Sequence, residues 1–595
     1  MSWRRSAVLV WAVLSLFLII AHWPDIMALS LSDADDNLRL MQVRALLAGQ
    51  GWFDLTQYRL DPPHGADLHW SRLVDLPIAT IILIAQPFVG TGTAEKLAVA
   101  VAPLLPFFFV VLGVARMARS VGGEQGHFAA FAFLMLSSFT LSAFAPTRID
   151  HHGWQLAAIT VLACAITDRK LARGGWVAGM AFAFSLSIGV EMLPILIAGG
   201  AALVLLWVFD AAQADRLKTF SVGLGGGTAL SYFIFVSESN SAARCDAMSP
   251  VWASVAVLAA ALVFGLSQIK RETAEQRLAL ALMAGLVLAC FFALAWPSCL
   301  SRFEGTSPEL QRLWLDNITE AQPIYVKSWA ELLTIGCMPV FGLLSYAWLT
   351  YKNWRVAAAL QQILPLVLLA FSAAILLLFQ SRLVLAAQLL AVPGLAAFSL
   401  SALRRVARSR FMLLRVFGTA SVFIVPTGVL ISPLTSLSHS NAQATPGPAN
   451  QNIAAECDNP EGLAPLAPLP KTTILTFLSV APKLIVHTHH DAIARPYHRT
   501  GTAILDVMHA FGGSDAEALK TIRRHKVGLV LICPGTSEAN HYLGHGTNSF
   551  YGRLVAGKPP EWLSPVPLGG ASPFKLWRVK SSGHTATYDH TSDIR

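Results

Sequence analysis

The sequence predicts an α-helical polytopic membrane protein of about thirteen spans, with an α/β domain outside the cytoplasm at its C-terminal end. Three observations carry this expectation. The 595 residues are 54% hydrophobic and only 13% charged, against roughly 25% charged in soluble proteins, and mean hydropathy is +0.54. Apolar runs of about 20 residues, the length that crosses a bilayer, recur as far as residue 432. Basic residues gather in alternate short loops, the pattern of cytoplasmic loops. The formal net charge of +9 therefore belongs to membrane orientation, and no nucleic-acid partner is expected.

Residues 1–22 carry the charge and apolar run of a signal peptide but no small-x-small cleavage site, so they read as a retained first helix. Arg4 and Arg5 place the N-terminus in the cytoplasm. Residues 23–94 form the first extracytoplasmic loop. Within it, 77–91 is apolar but short, with Pro77 and Pro87 near its ends, and is expected to lie at the outer interface. Counting it as a span would invert every later loop and expose most arginines. The run 95–117 returns to Arg116 and Arg119, and 125–145 and 154–168 flank the turn RIDHH. The runs 175–193, 196–212, 219–236, 250–268, 278–296, 330–350, 357–379, 383–402 and 411–432 complete the set, with basic loops on one side throughout. The membrane domain thus covers 1–435, in a plasma (inner) membrane.

A Ser/Asn/Pro/Gly stretch at 436–452 reads as a linker, and 453–595 is long enough for one soluble domain on the extracytoplasmic, periplasmic side. TILTFLSV (473–480), KLIVHT (483–488) and VGLVLI (527–532) read as strands, and ILDVMHAF (504–511) and DAEALKTIRRH (515–525) as helices. Cys164, Cys290 and Cys337 lie in apolar segments as small hydrophobes. Cys245 with Cys299, and Cys457 with Cys533, fall in polar segments on the oxidising face, where disulfides form.

Four polar clusters border the apolar runs on the same expected side. SDADDNLR (32–39) holds Asp33, Asp35 and Asp36, where acidic residues opening a helix would account for one carboxylate but less well for three. RIDHHGW (148–154) packs Arg148, Asp150, His151 and His152 into one turn, and Asp-x-His offers an oxygen and an imidazole to one divalent cation. NITEAQP (317–323) adds Glu320, unremarked by itself, in a chance match to a glycosylation acceptor. Arg382 in SRLVL (381–385) interrupts an apolar run and needs a partner, either the interface or a lipid phosphate. Glu191, in SIGVEMLPIL, reads as a structural polar cap.

The order and context of these clusters resemble the catalytic subunit of oligosaccharyltransferase, a GT-C-fold membrane glycosyltransferase with thirteen spans and an outside C-terminal domain. The likeness covers about residues 1–435, and the joint order of the motifs is more specific than any one of them. SDADDNLR resembles the family's first-loop aspartate motif, in a register that selects Asp33 or, counted from ALLAG, Asp35. RIDHH is similar to the archaeal Asp-His-His form of the second motif, and NITEAQP to its glutamate motif. SRLVL resembles the helix whose arginine holds the lipid-linked phosphate. The resemblance implies that Asp33, Asp150 and His152 hold Mg²⁺ or Mn²⁺ with Glu320 completing the site, and that Asp33, Asp35, Asp150 and Glu320 are catalytic. Arg382 and Arg148 would bind the donor phosphate. The implied partners are a sugar on polyprenyl phosphate or diphosphate, membrane lipid, and an extracytoplasmic acceptor.

The family's C-terminal domain opens with Trp-Trp-Asp-Tyr-Gly, whereas ILTFLSVAPKL stands at 474–484 here. The reader of a peptide acceptor is not carried over, which leaves lipid, glycan and protein acceptors open. HTHHDAIARPYHR (487–499) supplies acceptor-side candidates in His489, His490, Asp491 and His498, equally readable as a polar loop. The rival expectation is a transporter or lipid-linked-glycan flippase, which would favour internal repeats and midplane sites. No repeat is visible, and the charges cluster at one face.

Overall fold

The computed structural model describes residues 2–270, 273–301, 306–431, 456–569 and 572–580. The chain divides into two compact units, Met1–Thr56 with Asp67–Thr445, and Gln57–Ala66 with Pro446–Arg595. The expected linker at 436–452 lies outside the described residues.

The first unit is helical. Among the described residues, nine helices are long and apolar enough to cross a membrane, and four shorter apolar helices (Gly126–Met135, His152–Ile166, Leu193–Phe209 and Met412–Thr427) accompany them. Every run expected to span coincides with a helix. The run at 95–117 is divided in two, Thr91–Val101 and Leu104–Gly122, around Ala102–Pro103. The run at 125–145 is likewise broken at Leu136–Ser137. The expected interface segment at 77–91 is longer than the apolar run suggests. Ser71 caps its start, and the helix extends over Arg72–Val89, long and apolar enough to cross by length and composition.

Burial ranks the helices. The Ser381–Ala407 segment is 83% buried over its apolar window and forms the centre of the unit, whereas Ala274–Ala295 is 0% buried and lies at its periphery. Leu171–Ile188 packs on Ala214–Phe235 through small residues. A Cβ at Gly179 would stand 2.3 Å from Phe220 O, and one at Gly175 2.0 Å from Arg216 O. The Gly-x-x-x-Gly spacing thus lets two backbones meet, where dispersion substitutes for the hydrophobic effect that lipid cannot provide. Cys245 and Cys299 are joined by a disulfide, bridging segments 54 residues apart.

The second unit holds a five-stranded mixed sheet. Its strands are β1 (Thr473–Leu475), β2 (Asp491–Ala492), β3 (Val527–Ile532), β4 (Leu563–Val566) and β5 (Lys575–Val579), in spatial order β2-β1-β3-β5-β4. β1 pairs parallel with β2 and β3, and β5 pairs antiparallel with β3 and β4. Helices Gly501–Gly512 and Asp515–Arg524 appear where expected, the second opened by a Ser514/Glu517 capping box. KLIVHT is a correction: it lies in the helix Ala481–His487, not a strand. Pro482 sits in the first turn, where its missing N–H costs nothing. Leu484, Ile485 and Val486 are all buried, and a short run buried on every side carries no period by which to separate helix from strand. TILTFLSV is a strand only over Thr473–Leu475. Cys457 and Cys533 form the second disulfide.

The unit also takes in Gln57–Ala66 from the first loop. Ala492 N donates to Arg59 O at 3.0 Å and Asp61 N to Ala492 O at 2.9 Å. The Arg59 guanidinium gathers Ile485 O (2.6 Å), Thr488 O (2.8 Å), His490 O and the Asp491 carboxylate (3.3 Å).

Candidate active site

Asp33 is the N-cap of the helix Ala34–Leu47. Its Oδ1 accepts the Asp35 and Asp36 backbone N–H groups at 2.9 and 3.1 Å, and Asp36 Oδ2 accepts the Asp33 N–H at 3.2 Å. This reciprocal capping box explains why an Asp-x-x-Asp spacing stands at this helix start and which aspartate turns inward. Asp36 is fully buried.

The RIDHH turn meets it. Thr147, at φ +74°, is held by its N–H to Val99 O (2.9 Å) and by a 3.0 Å contact between its hydroxyl and Ser32 Oγ. That turn delivers Arg148 to the acidic cluster. Its guanidinium donates to Asp33 Oδ2 and to Asp150 Oδ2 (2.7 Å), and its Nε is 3.8 Å from Asp36 Oδ2. The backbone N–H of Asp150 donates to Asp36 Oδ1 at 2.9 Å. His152 donates twice to Asp150, from its backbone N–H (2.9 Å) and from Nδ1 (3.0 Å). Asp33 and Asp150 are each oriented by backbone N–H groups on one oxygen with Arg148 against the other, and Asp36 accepts a backbone N–H on both.

Behind the turn, His151 Nε2 donates to Glu191 Oε1 at 3.1 Å and Gln155 Nε2 to Glu191 Oε2 at 2.8 Å. The His151 and His152 rings stack at 4.4 Å. Trp70 lies 6.0 Å from His151 with the Arg39 guanidinium 4.9 Å from its ring, and Arg39 is anchored on Asp75 at 2.8 Å. Glu191 is therefore the orienting partner of His151 and more than a helix cap.

Asp33, Asp36 and Asp150 can each place one carboxylate oxygen within 4.8 Å of the others. Burial, followed by the neighbouring Asp33, pushes the Asp36 carboxyl well above the usual carboxylate range. Burial opposes ionisation at Asp150 as well, but Arg148 and then His152 hold it well below that range. Asp35 is raised to about 7, by burial first and then by Asp33 and Asp150, with Glu320 adding to the effect. The carboxyl groups crowd together, and the Arg148 guanidinium is their counter-ion.

A cavity of 580 Å³ adjoins it, lined among others by Arg148, His152, Glu320, Lys327, Glu331 and Arg382. Glu320 is exposed in the short turn Thr319–Ala321, and Arg382 lies in the turn Ser381–Leu383. Three of the four sequence clusters thus face one space, and the fourth, SDADDNLR, is joined to it through Arg148. Arg148, expected at the donor phosphate, is bound among carboxylates. Asp33 and Asp150 of the expected metal set stand in the three-carboxylate group, joined there by Asp36, whereas Asp35, His152 and Glu320 stand outside it. The Asp-x-x-Asp capping-box spacing is the sequence signal that pairs Asp36 with Asp33.

In the second unit, the acceptor-side candidates belong largely to internal packing. His490 is buried, with Nε2 donating to Leu466 O (3.0 Å) and Nδ1 accepting from Thr472 N (3.3 Å). Asp491 is paired with Arg59 and Lys471, both at 3.3 Å. His489 is exposed, with Nε2 donating to Leu469 O at 2.9 Å, and His498 begins the short turn His498–Thr500.

No family model matches this chain, and no curated protein matches it. Solved structures do. The archaeal oligosaccharyltransferase AglB from Archaeoglobus fulgidus, in complex with an inhibitory peptide and a dolichol-phosphate, aligns over 96% of this chain and 74% of its own, with TM-score 0.66 and 16% identity. The A. fulgidus oligosaccharyltransferase tethered to an acceptor peptide containing the NVT sequon aligns over 96% and 73%, with TM-score 0.65 and 15% identity. Its complex with Zn and sulfate aligns over 91% and 69%, with TM-score 0.58 and 12% identity. At such identity the likeness establishes architecture: this chain is a polytopic membrane protein with the GT-C fold of the archaeal oligosaccharyltransferase.

Proposed function

We propose that this protein is a membrane glycosyltransferase that takes a sugar from a polyprenyl phosphate or diphosphate carrier and transfers it, with inversion, to an acceptor outside the cytoplasm. The observation that carries this reading is the shared cavity, where Arg148, His152, Glu320 and Arg382 meet beside three clustered carboxylates. The fold likeness to an enzyme solved with dolichol-phosphate supports a lipid-borne donor.

The acidic group fits a hard divalent cation such as Mg²⁺ or Mn²⁺, which prefers carboxylate oxygens. Three carboxylates opposed by one guanidinium carry a formal charge of about −2 when all are ionised. Asp33, Asp36 and Asp150 would hold the ion, with His152 orienting Asp150 and Glu320 at the adjoining cavity. When bound, such an ion neutralises negative charge developing on a phosphate leaving group.

Arg382 lines the cavity next to apolar Val384 and Leu385, suiting it to a phosphate at the end of a lipid. Glu320, exposed to the same cavity, accepts the proton of the acceptor's nucleophilic atom as that atom bonds to the anomeric carbon. The bond from that carbon to the phosphate oxygen breaks, and the carrier leaves as its phosphate or diphosphate with the electron pair. Arg148 keeps the carboxylates at fixed separation, so the site need not reorganise as charge moves.

The test is transfer by the purified full chain, using lipid-linked sugars extracted from the native host as donor. Asp150→Ala and Glu320→Ala should each abolish transfer, and near-normal rates in either variant would remove this mechanism. Deleting the gene and weighing the accumulated envelope glycans by mass spectrometry would identify the acceptor.

A further inference from the structure

We propose that Ser381 is a positioning residue that holds the turn bearing Glu320 and the turn bearing Arg382 as one piece, so that the phosphate-side and acceptor-side groups keep a common register. This rests on the transfer reaction proposed above. Glu320 lies in an isolated 3₁₀ turn, Thr319–Ala321, whose own closing bond, Gln322 N–H to Thr319 O, is long at 3.4 Å. A 3₁₀ turn of three residues has poor hydrogen-bond geometry and little intrinsic stability. Its shape must come from outside.

The outside bonds converge on Ser381. Its hydroxyl lies 3.2 Å from both Thr319 O and Glu320 O, a shared donation to the two carbonyls that frame the catalytic carboxylate. Its backbone N–H donates to Gln322 O at 2.9 Å. Ser381 is buried, and Arg382 is the next residue. A second tie, Ile324 N–H to Leu377 O at 3.0 Å, joins the same two segments. On the far side, Lys327 Nζ donates to Thr319 O at 2.6 Å and approaches Gln322 Oε1 at 3.4 Å. Two segments some 60 residues apart are therefore clipped at the residue before Arg382. The backbone bond survives loss of the hydroxyl, so removing it loosens Glu320 without detaching the segment.

The experiment compares wild type, Ser381→Ala and Ser381→Thr, using the full chain and the native lipid-linked sugar fraction. It records kcat, donor KM, the Kd for unsubstituted polyprenyl phosphate, and Tm. Ser381→Ala should lower kcat about tenfold, the worth of one or two hydrogen bonds, while KM and Kd stay within about twofold. Ser381→Thr keeps the hydroxyl and should restore kcat to within about threefold of wild type. Unchanged kcat in Ser381→Ala overturns the proposal. So does a loss confined to KM and Kd, because the hydroxyl would then serve Arg382 alone. Failure of rescue by Ser381→Thr at unchanged Tm also overturns it. Should the threonine variant not fold, Lys327→Met removes the other hold on Thr319 and should lower kcat in the same way; unchanged kcat there sinks the proposal. Asp150→Ala separates the two readings, since normal transfer in that variant defeats the glycosyltransferase assignment whatever Ser381 does.

Discussion

Replacing Arg148 with methionine should destabilise the membrane unit, and a divalent cation should reverse much of the loss. At 4.8 Å, the outer limit of separation among the Asp33, Asp36 and Asp150 oxygens, two like charges repel by about 3.5 kcal/mol at an effective dielectric near 20. The Arg148–Asp150 contact at 2.7 Å returns about 6 kcal/mol on the same scale, before the cost of desolvating both groups. Stripping one partner from a buried ion cluster costs about 3–5 kcal/mol. Asp33 is 41% exposed at its side chain, and solvent screening there favours the lower end, about 3 kcal/mol. A thermal melt in detergent should fall by roughly 3 °C. Mn²⁺ at a hundredfold excess over its Kd contributes about 2.7 kcal/mol to any state that binds it, which is nearly the whole deficit. An Arg148→Met protein that melts with wild type, or that melts early and ignores Mn²⁺, would refute both the role of Arg148 as counter-ion and the fit of the carboxylates to a cation.

Asp36→Ala should abolish Mn²⁺ binding measured by paramagnetic resonance, whereas Asp35→Ala should keep it, because Asp36 and not Asp35 stands with Asp33 and Asp150. Gly179→Ala forces a methyl to 2.3 Å from Phe220 O and should cost about 1–3 kcal/mol in a melt. Gly226→Ala, with nothing within 4 Å of the added carbon, should be neutral or stabilising by up to about 1 kcal/mol; equal melts for the two variants would contradict the close packing of these helices. In the second unit, burial alone would depress His525, but hydrogen bonds to Asp506 and Asp61 lift it to about 9 from an ordinary 6.5. The folded value lies above the unfolded one, so this stability is fully present below about pH 6.5 and is lost as pH rises through about 9. Hydrogen exchange on the full chain should show the Asp515–Arg524 helix losing about 2 kcal/mol of protection across that window, and His525→Asn should flatten the dependence.

The fold was legible at two levels. Helix positions followed from apolar length, because lipid tolerates only segments whose backbone bonds close internally, and the thirteen runs each met a helix. The segment at 77–91, expected at the interface, instead belongs to a helix long and apolar enough to cross. The disulfide partners followed from the cysteines left in polar segments on one face. Breaks such as Ala102–Pro103 were not legible, since an apolar run conceals where a helix stops. The same ambiguity turned KLIVHT from an expected strand into a helix. Within the site, the clusters were visible as polar interruptions, but the pairing of Asp36 with Asp33 through the helix cap was not read from them.

The sequence by itself determined the residue types and their side of the chain's alternation: carboxylates, imidazoles and arginines at loop positions, separated by runs that must cross lipid. Hydropathy and charge are local properties, and a one-dimensional reading captures them. Only the tertiary structure decided which of those groups touch. Arg148 sits among three aspartates, Glu191 turns His151, and Ser381 clips Glu320 to Arg382. Those pairings join residues as far as 115 positions apart, and distance along the chain says nothing about which side chains a packed bundle brings within hydrogen-bond reach.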